Sequence, residues 1–239
     1  MMKIVINPSW KCQLNCDYCW LPHTKINKKA KEHTWGEWAT AIKENVPRGS
    51  IVDFSGGDPL LYPGMAALCE EIGKHGINWA ITTNALATKG VKELTAKKLP
   101  GAIVINISDH SGNKKAANNI AKLKEVYQVS VHRCEHPGAG ENIPQAKEIT
   151  YQGWAEGEAL DGVKRFCNAG ANHLVIDPAG DVFRCCVDMQ LGHEPLGNIF
   201  PDGKAVPYEA QLSFVCDFGC SSCYTENPGE WMIEMKAVK

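Results

Sequence analysis

The sequence predicts an α/β protein: a partial (β/α)6 barrel of parallel strands, followed by a small domain that contains a β-hairpin. Two observations lead to this prediction. In the first part of the chain, short runs rich in Ile and Val alternate with segments whose apolar residues repeat every 3.6 positions. Beyond that part the alternation stops and cysteines become frequent. We therefore expect a barrel domain at residues 1–155 and a smaller domain at residues 156–239.

Six segments have the length and composition of buried strands, and the connections between them are long enough for parallel crossovers. The predicted strands are Lys3–Asn7, Ile51–Ser55, Asn78–Thr82, Ala102–Ser108, Val129–Arg133 and Glu148–Gln152. In a sheet of this kind, ligands bind at the C-terminal ends of the strands. We therefore expect functional residues at those ends.

Helices are expected between the strands. The first begins at Thr34, and Glu37 three residues later completes a capping box. The apolar positions expected to face the sheet are Trp35, Trp38, Ala39, Ile42 and Val46, then Met65, Leu68, Cys69 and Ile72, then Val91 and Leu94, and finally Ala116, Ile120, Leu123 and Tyr127. Further on, His173–Asp177 and Asp181–Cys185 flank Pro178-Ala179-Gly180 and predict a β-hairpin.

Charge and cysteine content restrict the class of function. The net charge of -2 does not indicate a nucleic-acid partner or a membrane surface, and no apolar run approaches the ~18 residues of a membrane span. We expect a cytoplasmic protein. Eleven of the 239 residues are cysteine, and in a reducing compartment such a number indicates metal ligands or redox chemistry rather than disulfides.

Three cysteines follow the first predicted strand within eight residues, in the order Cys12-Gln-Leu-Asn-Cys16-Asp-Tyr-Cys19. Three thiolates on one short loop can each bind one iron of a cubane cluster, leaving the fourth iron open for substrate or cofactor. The alternative is a structural zinc site with His23 as a fourth ligand, although that spacing is atypical for zinc.

This loop resembles the CxxxCxΦC loop of the radical S-adenosylmethionine (radical SAM) enzymes, with Tyr18 at the aromatic position. Three strand ends extend the resemblance. Ser55-Gly56-Gly57-Asp58-Pro59 is similar to the family's GGEP motif, with Asp58 in place of Glu. Thr82-Thr83-Asn84 and Asn106-Ile107-Ser108-Asp109 are similar to its polar strand ends. The candidate cofactor-binding residues are Tyr18, Gly56, Gly57, Asp58, Pro59, Thr83, Asn84, Ser108, Asp109 and Arg133.

The resemblance implies a mechanism. Cys12, Cys16 and Cys19 would be the catalytic cysteines that hold a [4Fe–4S] cluster, and its open iron would bind the amino and carboxylate groups of S-adenosylmethionine. One electron would cleave the cofactor into methionine and a 5′-deoxyadenosyl radical, which abstracts hydrogen from substrate. A flavodoxin or ferredoxin would supply the electron. The basic run from Lys25 to Lys31 is either its docking patch or a solvated segment.

The C-terminal cysteines resemble those of the Twitch and SPASM domains that follow many radical SAM barrels, beginning with Cys167-x12-Gly180-x4-Cys185. Their number favours Twitch and implies a second, auxiliary [4Fe–4S] cluster. Our chosen ligands are Cys167, Cys185, Cys220 and Cys223. Cys216 is the first alternate, and Cys186 is expected on the opposite side of its strand. Structural zinc is the other possible occupant.

The resemblance favours oxidation or bond formation at an unactivated carbon of a small polar metabolite, a nucleoside or modified base, or a peptide. One alternative is a radical SAM maturase of ribosomally made peptides. An alternative of another class is a non-catalytic zinc or cysteine-cluster adaptor, which would be expected to carry a basic surface.

Overall fold

In the computed structural model of the protein, the described residues are 2–14, 16, 19, 32–109, 114–133, 164–167, 173–190, 192–200, 214–216 and 234–235. The helices are α1 Trp35–Asn45, α2 Met65–Lys74, α3 Thr88–Thr95, α4 Lys114–Val126 and α5 Cys186–Gln190, with a 3-10 turn at Pro59–Leu61. The strands are β1 Lys3–Ile6, β2 Ile51–Phe54, β3 Asn78–Thr83, β4 Ala102–Asp109, β5 Val129–Arg133, β6 Lys164–Cys167, β7 His173–Ile176, β8 Asp181–Phe183, β9 Gly197–Asn198, β10 Phe214–Cys216 and β11 Glu234–Met235.

Eight strands form the main sheet, in the order β5-β4-β3-β2-β1-β7-β8-β9. Strands β1 to β5 are parallel, as the alternation of strands and helices predicts. Strands β5 and β9 are its edges among the described strands. The predicted sixth strand, Glu148–Gln152, lies outside the described residues.

The predicted hairpin is present as β7 and β8, with Val175 opposite Phe183. Its position differs from the expectation, because β7 pairs in parallel with β1, with His173 beside Lys3. The turn sequence Pro178-Ala179-Gly180 predicts a hairpin, but it does not indicate which other strand the hairpin pairs with. The division into residues 1–155 and 156–239 remains a prediction, and the sheet itself continues across it.

The four long helices cover one face of the sheet. The Thr34 hydroxyl accepts a hydrogen bond from the main-chain N–H of Glu37, and the Glu37 carboxylate accepts one from Thr34 N–H, as predicted. The predicted apolar positions on α1 to α4 are buried, except that Ile120 is partly buried and Trp35 is 42% exposed. Trp35 occupies the first turn of α1, and its ring packs over Gly64.

The two faces of the sheet differ in chemistry. Alternate strand residues point to opposite faces, and the row under the helices is apolar and buried, with Ile6, Phe54, Ile81 and Ile105 side by side. On the opposite face, which we call the inner face, Thr82 lies beside Asn106 and Asn106 beside Ser130. The inner face therefore carries a row of polar side chains across β3, β4 and β5.

A second sheet of three strands has the order β10-β6-β11, all antiparallel, with Cys167 of β6 opposite Phe214 and Arg165 opposite Cys216. None of the described helices has the length and apolar character needed to cross a membrane.

Candidate functional site

The segment that follows β1 and carries Cys12, Cys16 and Cys19, which we call the cysteine segment, is fixed to the end of β2 by main-chain contacts. Gly57 N–H donates to Ser9 C=O at 3.2 Å, and Asp58 N–H donates to Lys11 C=O at 2.7 Å. A Cβ atom at Gly56 would lie 2.7 Å from the Ser9 carbonyl oxygen, and one at Gly57 would overlap Lys11. Glycine is required here because the backbone of the cysteine segment occupies the space of a side chain.

The three predicted cysteines lie close together on this segment. Cys16 is buried, whereas Cys12 and Cys19 are half-buried, and Cys19 N–H donates to Cys16 C=O at 3.2 Å. The pKa of the Cys12 thiol is raised to about 12, mainly by burial and also by the charges of Asp58, Cys19 and Cys16. The Leu14 N–H, which donates to the sulfur, acts in the opposite direction. Within the described residues, no three His, Cys, Asp or Glu side chains surround a single metal-ion position.

An apolar cluster on the inner face supports the cysteines. It consists of Trp10, Val175, Phe183 and Met189, and Cys12, Cys19 and Cys186 pack against it. Val175 and Phe183 belong to the hairpin, so residues far along the chain form the wall behind the first cysteine loop. This wall excludes water from one side of the thiols.

Asp58 joins the cysteine segment to the ends of β2 and β3. Its carboxylate is 1% exposed and accepts hydrogen bonds from Thr83 hydroxyl at 2.7 Å, Leu60 N–H at 3.0 Å and Gln13 Nε2 at 3.0 Å. Burial raises the pKa of Asp58, and these three donors act in the opposite direction. Pro59 follows as the first residue of the 3-10 turn, which Asp58 caps.

Asn84 is buried beside Cys12, with its Nδ2 atom 3.7 Å from the Cys12 sulfur. The same side chain accepts a hydrogen bond from Gln13 Nε2 at 3.0 Å. Gln13 was not among the predicted site residues, although it lies between two predicted cysteines. Its two hydrogen-bond partners, Asp58 and Asn84, are separated from it by 45 and 71 positions in the sequence. No local sequence pattern indicates such contacts.

The remaining predicted cofactor residues lie at the ends of β4 and β5. Ser108 and Asp109 are half-buried, and Arg133 is beside Asp109 in the register of β4 and β5. On the inner face below them, the Thr82 hydroxyl lies 3.3 Å from an Asp53 carboxylate oxygen. Asp53 and Thr82 are further polar residues of this region that sequence reasoning did not single out. Tyr18 lies outside the described residues.

Glu32 follows the three cysteines in the sequence and contacts two residues that precede them. Its carboxylate accepts from the Lys11 ammonium group and from the Ser9 hydroxyl, both at 2.7 Å. Partial burial acts to raise the pKa of Glu32, but the hydrogen bonds from Lys11 and Ser9 outweigh it and lower the value. The sequence gives no signal for this contact, because Glu32 lies at the end of an otherwise basic run.

The structure changes the interpretation of Cys185 and Cys186. The predicted strand Asp181–Cys185 ends at Phe183, and Cys186 begins α5. The alternation argument that put Cys186 on the opposite side of a strand is therefore wrong, since neither residue is in a strand. Asp188 N–H donates to the Cys185 sulfur at 3.5 Å. Cys167 lies in β6, whereas Cys220 and Cys223 are outside the described residues.

Comparison with known proteins identifies the family. The profile of the Radical SAM superfamily matches residues 6–133, from the last residue of β1 to the end of β5, with the cysteine loop included. The chain belongs to the radical SAM superfamily. A curated relative of this radical SAM protein is the S-adenosyl-L-methionine-dependent tRNA 4-demethylwyosine synthase of Pyrococcus horikoshii, 24% identical over 123 residues. The match covers 41% of this chain and 36% of the relative, so the chain spans about a third of the relative's length.

Solved structures of the superfamily share the fold. BtrN in complex with AdoMet and 2-DOIA has a TM-score of 0.53 and 18% identity, covering 83% of this chain and 78% of BtrN. SuiB of Streptococcus suis bound to precursor peptide SuiA has a TM-score of 0.51 and 16% identity, covering 86% and 63%. anSMEcpe with bound AdoMet and Cp18Cys peptide has a TM-score of 0.51 and 15% identity, covering 82% and 77%. The homologues are enzymes, and so is this radical SAM protein.

Membership implies S-adenosylmethionine and a [4Fe–4S] cluster, and the residues present fit both. Three thiols against an apolar wall are suitable ligands for an iron–sulfur cluster. Two buried acceptors near the loop, Oδ1 of Asn7 and Oε1 of Gln13, have no hydrogen-bond donor among the described residues. Such acceptors are suited to a ligand with N–H groups, such as the amino group of the cofactor.

Proposed function

We propose that this protein reductively cleaves S-adenosylmethionine and uses the resulting 5′-deoxyadenosyl radical to abstract hydrogen from an unactivated carbon of its substrate. The observation that carries the proposal is the attachment of Cys12 and its loop to the ends of β2 and β3 through Gly57, Asp58 and Asn84. This attachment supports the proposal because Cys12 and its loop lie at the strand ends at which a parallel sheet binds its ligands.

The chain's own residues bind and orient in this proposal. Cys12, Cys16 and Cys19 hold the cluster, which supplies the electron for cofactor cleavage when it is bound. Asn7 and Gln13 present buried acceptors, and Ser108, Asp109 and Arg133 complete the cofactor site at the ends of β4 and β5. Trp10 and the hairpin keep water from the thiols, which protects reactive species from side reactions.

We propose that the substrate is a small polar metabolite. The reaction would oxidise one of its unactivated carbons or form a new bond there. The supporting feature is the inner face, where Asp53, Thr82, Asn106 and Ser130 present carboxylate, hydroxyl and amide groups along β2 to β5. A nucleoside or modified base and a peptide are the other candidates, and proteins similar to this chain include a tRNA 4-demethylwyosine synthase and SuiB bound to a precursor peptide. Peptide maturation remains the alternative function.

The test is release of 5′-deoxyadenosine by anaerobically reduced protein incubated with S-adenosylmethionine. We expect release from the wild type and none from Cys16→Ala. Cys69→Ala is the matched control, because Cys69 is fully buried in the core beside Met65, away from the loop, and it should retain activity. No release from iron-loaded wild type would support a non-catalytic cysteine-cluster adaptor instead.

We also propose an auxiliary [4Fe–4S] cluster at Cys167, Cys185, Cys220 and Cys223. Cys216 is a strong alternate, because it lies on β10 next to β6, two register positions from Cys167. Iron and zinc analysis after anaerobic purification tests this: we expect about eight irons per chain from two four-iron clusters. About four irons with one zinc would show that the C-terminal site holds zinc.

A cytoplasmic location and a flavodoxin or ferredoxin as electron donor belong to the same proposal. Their support is the reducing environment that eleven cysteines and an iron–sulfur centre require. Cluster reduction by a flavodoxin should slow with rising salt if the basic run from Lys25 to Lys31 binds an acidic donor. Reduction that is insensitive to salt and to Lys28→Glu with Lys29→Glu would exclude that docking site.

A further inference from the structure

The orientation of the Asn84 amide is fixed by its neighbours. Oδ1 of Asn84 accepts from the main-chain N–H of Leu86 at 2.9 Å and from Gln13 Nε2 at 3.0 Å. A main-chain N–H can only donate, so the atom facing Leu86 is the oxygen. The other end of the amide, the NH2 group, therefore faces the Cys12 sulfur, 3.7 Å away.

Gln13 and Asp58 hold this arrangement in place. Gln13 Nε2 donates both to Asn84 and to Asp58 Oδ2, each at 3.0 Å. Asp58 is in turn fixed by the Thr83 hydroxyl and the Leu60 N–H. All of these contacts are buried or partly buried, which strengthens each hydrogen bond relative to one in water. The position of the Asn84 donor is thus determined by a chain of side chains from three loops.

Two N–H groups of the described part of the chain donate to the Cys12 sulfur, one from the Asn84 amide and one from the Leu14 main chain at 3.4 Å. When a cluster-bound thiolate accepts hydrogen bonds, its negative charge is stabilised, and the reduced cluster carries one more negative charge than the oxidised one. Donors to the sulfur therefore favour the reduced state and raise the reduction potential. Of the two donors, only Asn84 belongs to a side chain and can be removed by substitution.

We propose that Asn84 is a positioning residue that raises the reduction potential of the cluster held by Cys12, with Gln13 and Asp58 orienting it. This extends the assignment of Asn84 beyond cofactor binding. It rests on the proposed function only in requiring that a cluster binds at Cys12. The effect bears directly on the reaction, because the electron that cleaves the cofactor comes from this cluster.

The test is the midpoint potential of the first cluster, measured by anaerobic titration with electron paramagnetic resonance detection, without S-adenosylmethionine and at equal iron content. A Cys185→Ala background in all variants removes a proposed auxiliary ligand and simplifies the spectrum. Asn84→Ala should shift the potential to more negative values. Asn84→Asp keeps the oxygen that accepts from Leu86 but replaces the donor by an acceptor, so its shift should be larger. Gln13→Met should give a smaller shift of the same sign.

Asn119→Ala is the matched control. Asn119 is a second buried asparagine, and its Nδ2 donates to Ala85 C=O at 2.8 Å and Thr88 hydroxyl at 3.2 Å, with no contact to a cysteine. It should lower stability and leave the potential unchanged. Wild-type potentials in both Asn84 variants, or an equal shift in Asn119→Ala, would overturn the proposal. If Asn84→Ala does not fold, Asn84→Asp and Gln13→Met decide. Wild type that binds no iron would instead refute the proposed function.

Discussion

The ammonium nitrogen of Lys11 lies 2.7 Å from a carboxylate oxygen of Glu32, 21 positions along the chain. Because the contact closes the segment that carries the three cysteines, Glu32→Ala should loosen the cluster site. We expect iron release to a chelator to accelerate two- to fivefold, in keeping with at most about 1 kcal/mol for a partly exposed ion pair. Glu70 lies on α2 and forms ion pairs with Lys74 and Lys97. Glu70→Ala removes both pairs and should leave the release rate unchanged.

The Glu32 carboxylate should make the free energy of unfolding depend on pH. In the folded protein the pKa of Glu32 lies below its ordinary value of 4.5, so the folded state binds fewer protons there than the unfolded state. Its contribution to stability is therefore present above pH 4.5 and disappears as the pH falls through the folded-state value. In metal-free protein, the difference in free energy of unfolding between wild type and Glu32→Ala should shrink on acidification; a constant difference would contradict the ion pair.

Gly57→Ala should displace the cysteine segment, because the added Cβ would overlap Lys11 main-chain atoms. Overpacking of this kind typically costs about 1–3 kcal/mol, and we expect weaker iron binding as well. Gly36→Ala is the control: Gly36 lies in α1 with its nearest neighbour 4.0 Å from the added Cβ. That substitution should raise the free energy of unfolding by about 0.5–1 kcal/mol. Chemical denaturation of both variants measures the difference.

Asp58→Asn should destabilise the protein, because an amide group would face donors that now converge on two carboxylate oxygens. Leaving a buried donor unpaired costs about 1–3 kcal/mol. Thr83→Val removes the hydroxyl that donates to Asp58 at 2.7 Å. Since the two residues share one hydrogen bond, the double variant should lose less stability than the sum of the single variants. Additive losses in a double-mutant cycle would mean that the two side chains act independently.

Trp10→Ala should open the apolar wall behind Cys12 and Cys19. Trp10 is 5% exposed and packs against Val175 and Met189, so its removal should cost about 3–5 kcal/mol. Bleaching of the cluster absorbance in air should accelerate as water and oxygen gain access. Trp35→Ala removes a ring that is 42% exposed and should bleach at the wild-type rate. Equal bleaching rates for the two variants would argue against a shielding role for Trp10.

Features with a local cause could be predicted from the sequence. The five strands from Lys3 to Arg133 follow from buried Ile and Val runs, and the start of α1 follows from the Thr34 and Glu37 capping box. The cysteine loop and the glycines at the end of β2 were found because each is a short continuous string.

Features that depend on contacts between distant segments could not be predicted. Gln13 acquires its role only when the loops after β1, β2 and β3 meet, and the sequence between Cys12 and Cys16 does not encode which partners it finds. Trp35 is 42% exposed, although the apolar spacing of α1 groups it with the buried positions. Cys185 and Cys186 follow a strand that ends at Phe183, two residues before Cys185, and apolar alternation does not mark this boundary.

The pairing of β1 with β7 has a consequence for folding during synthesis. The strand that precedes the cysteine loop gains its second neighbour only when His173–Ile176 has left the ribosome, about 170 positions after Lys3–Ile6. The parallel pairing of β1 with β7 therefore cannot form before that point of synthesis. Until then Val175, Phe183 and Met189 cannot cover the thiols. A cluster bound to the nascent chain before that point would lack this apolar cover on one side.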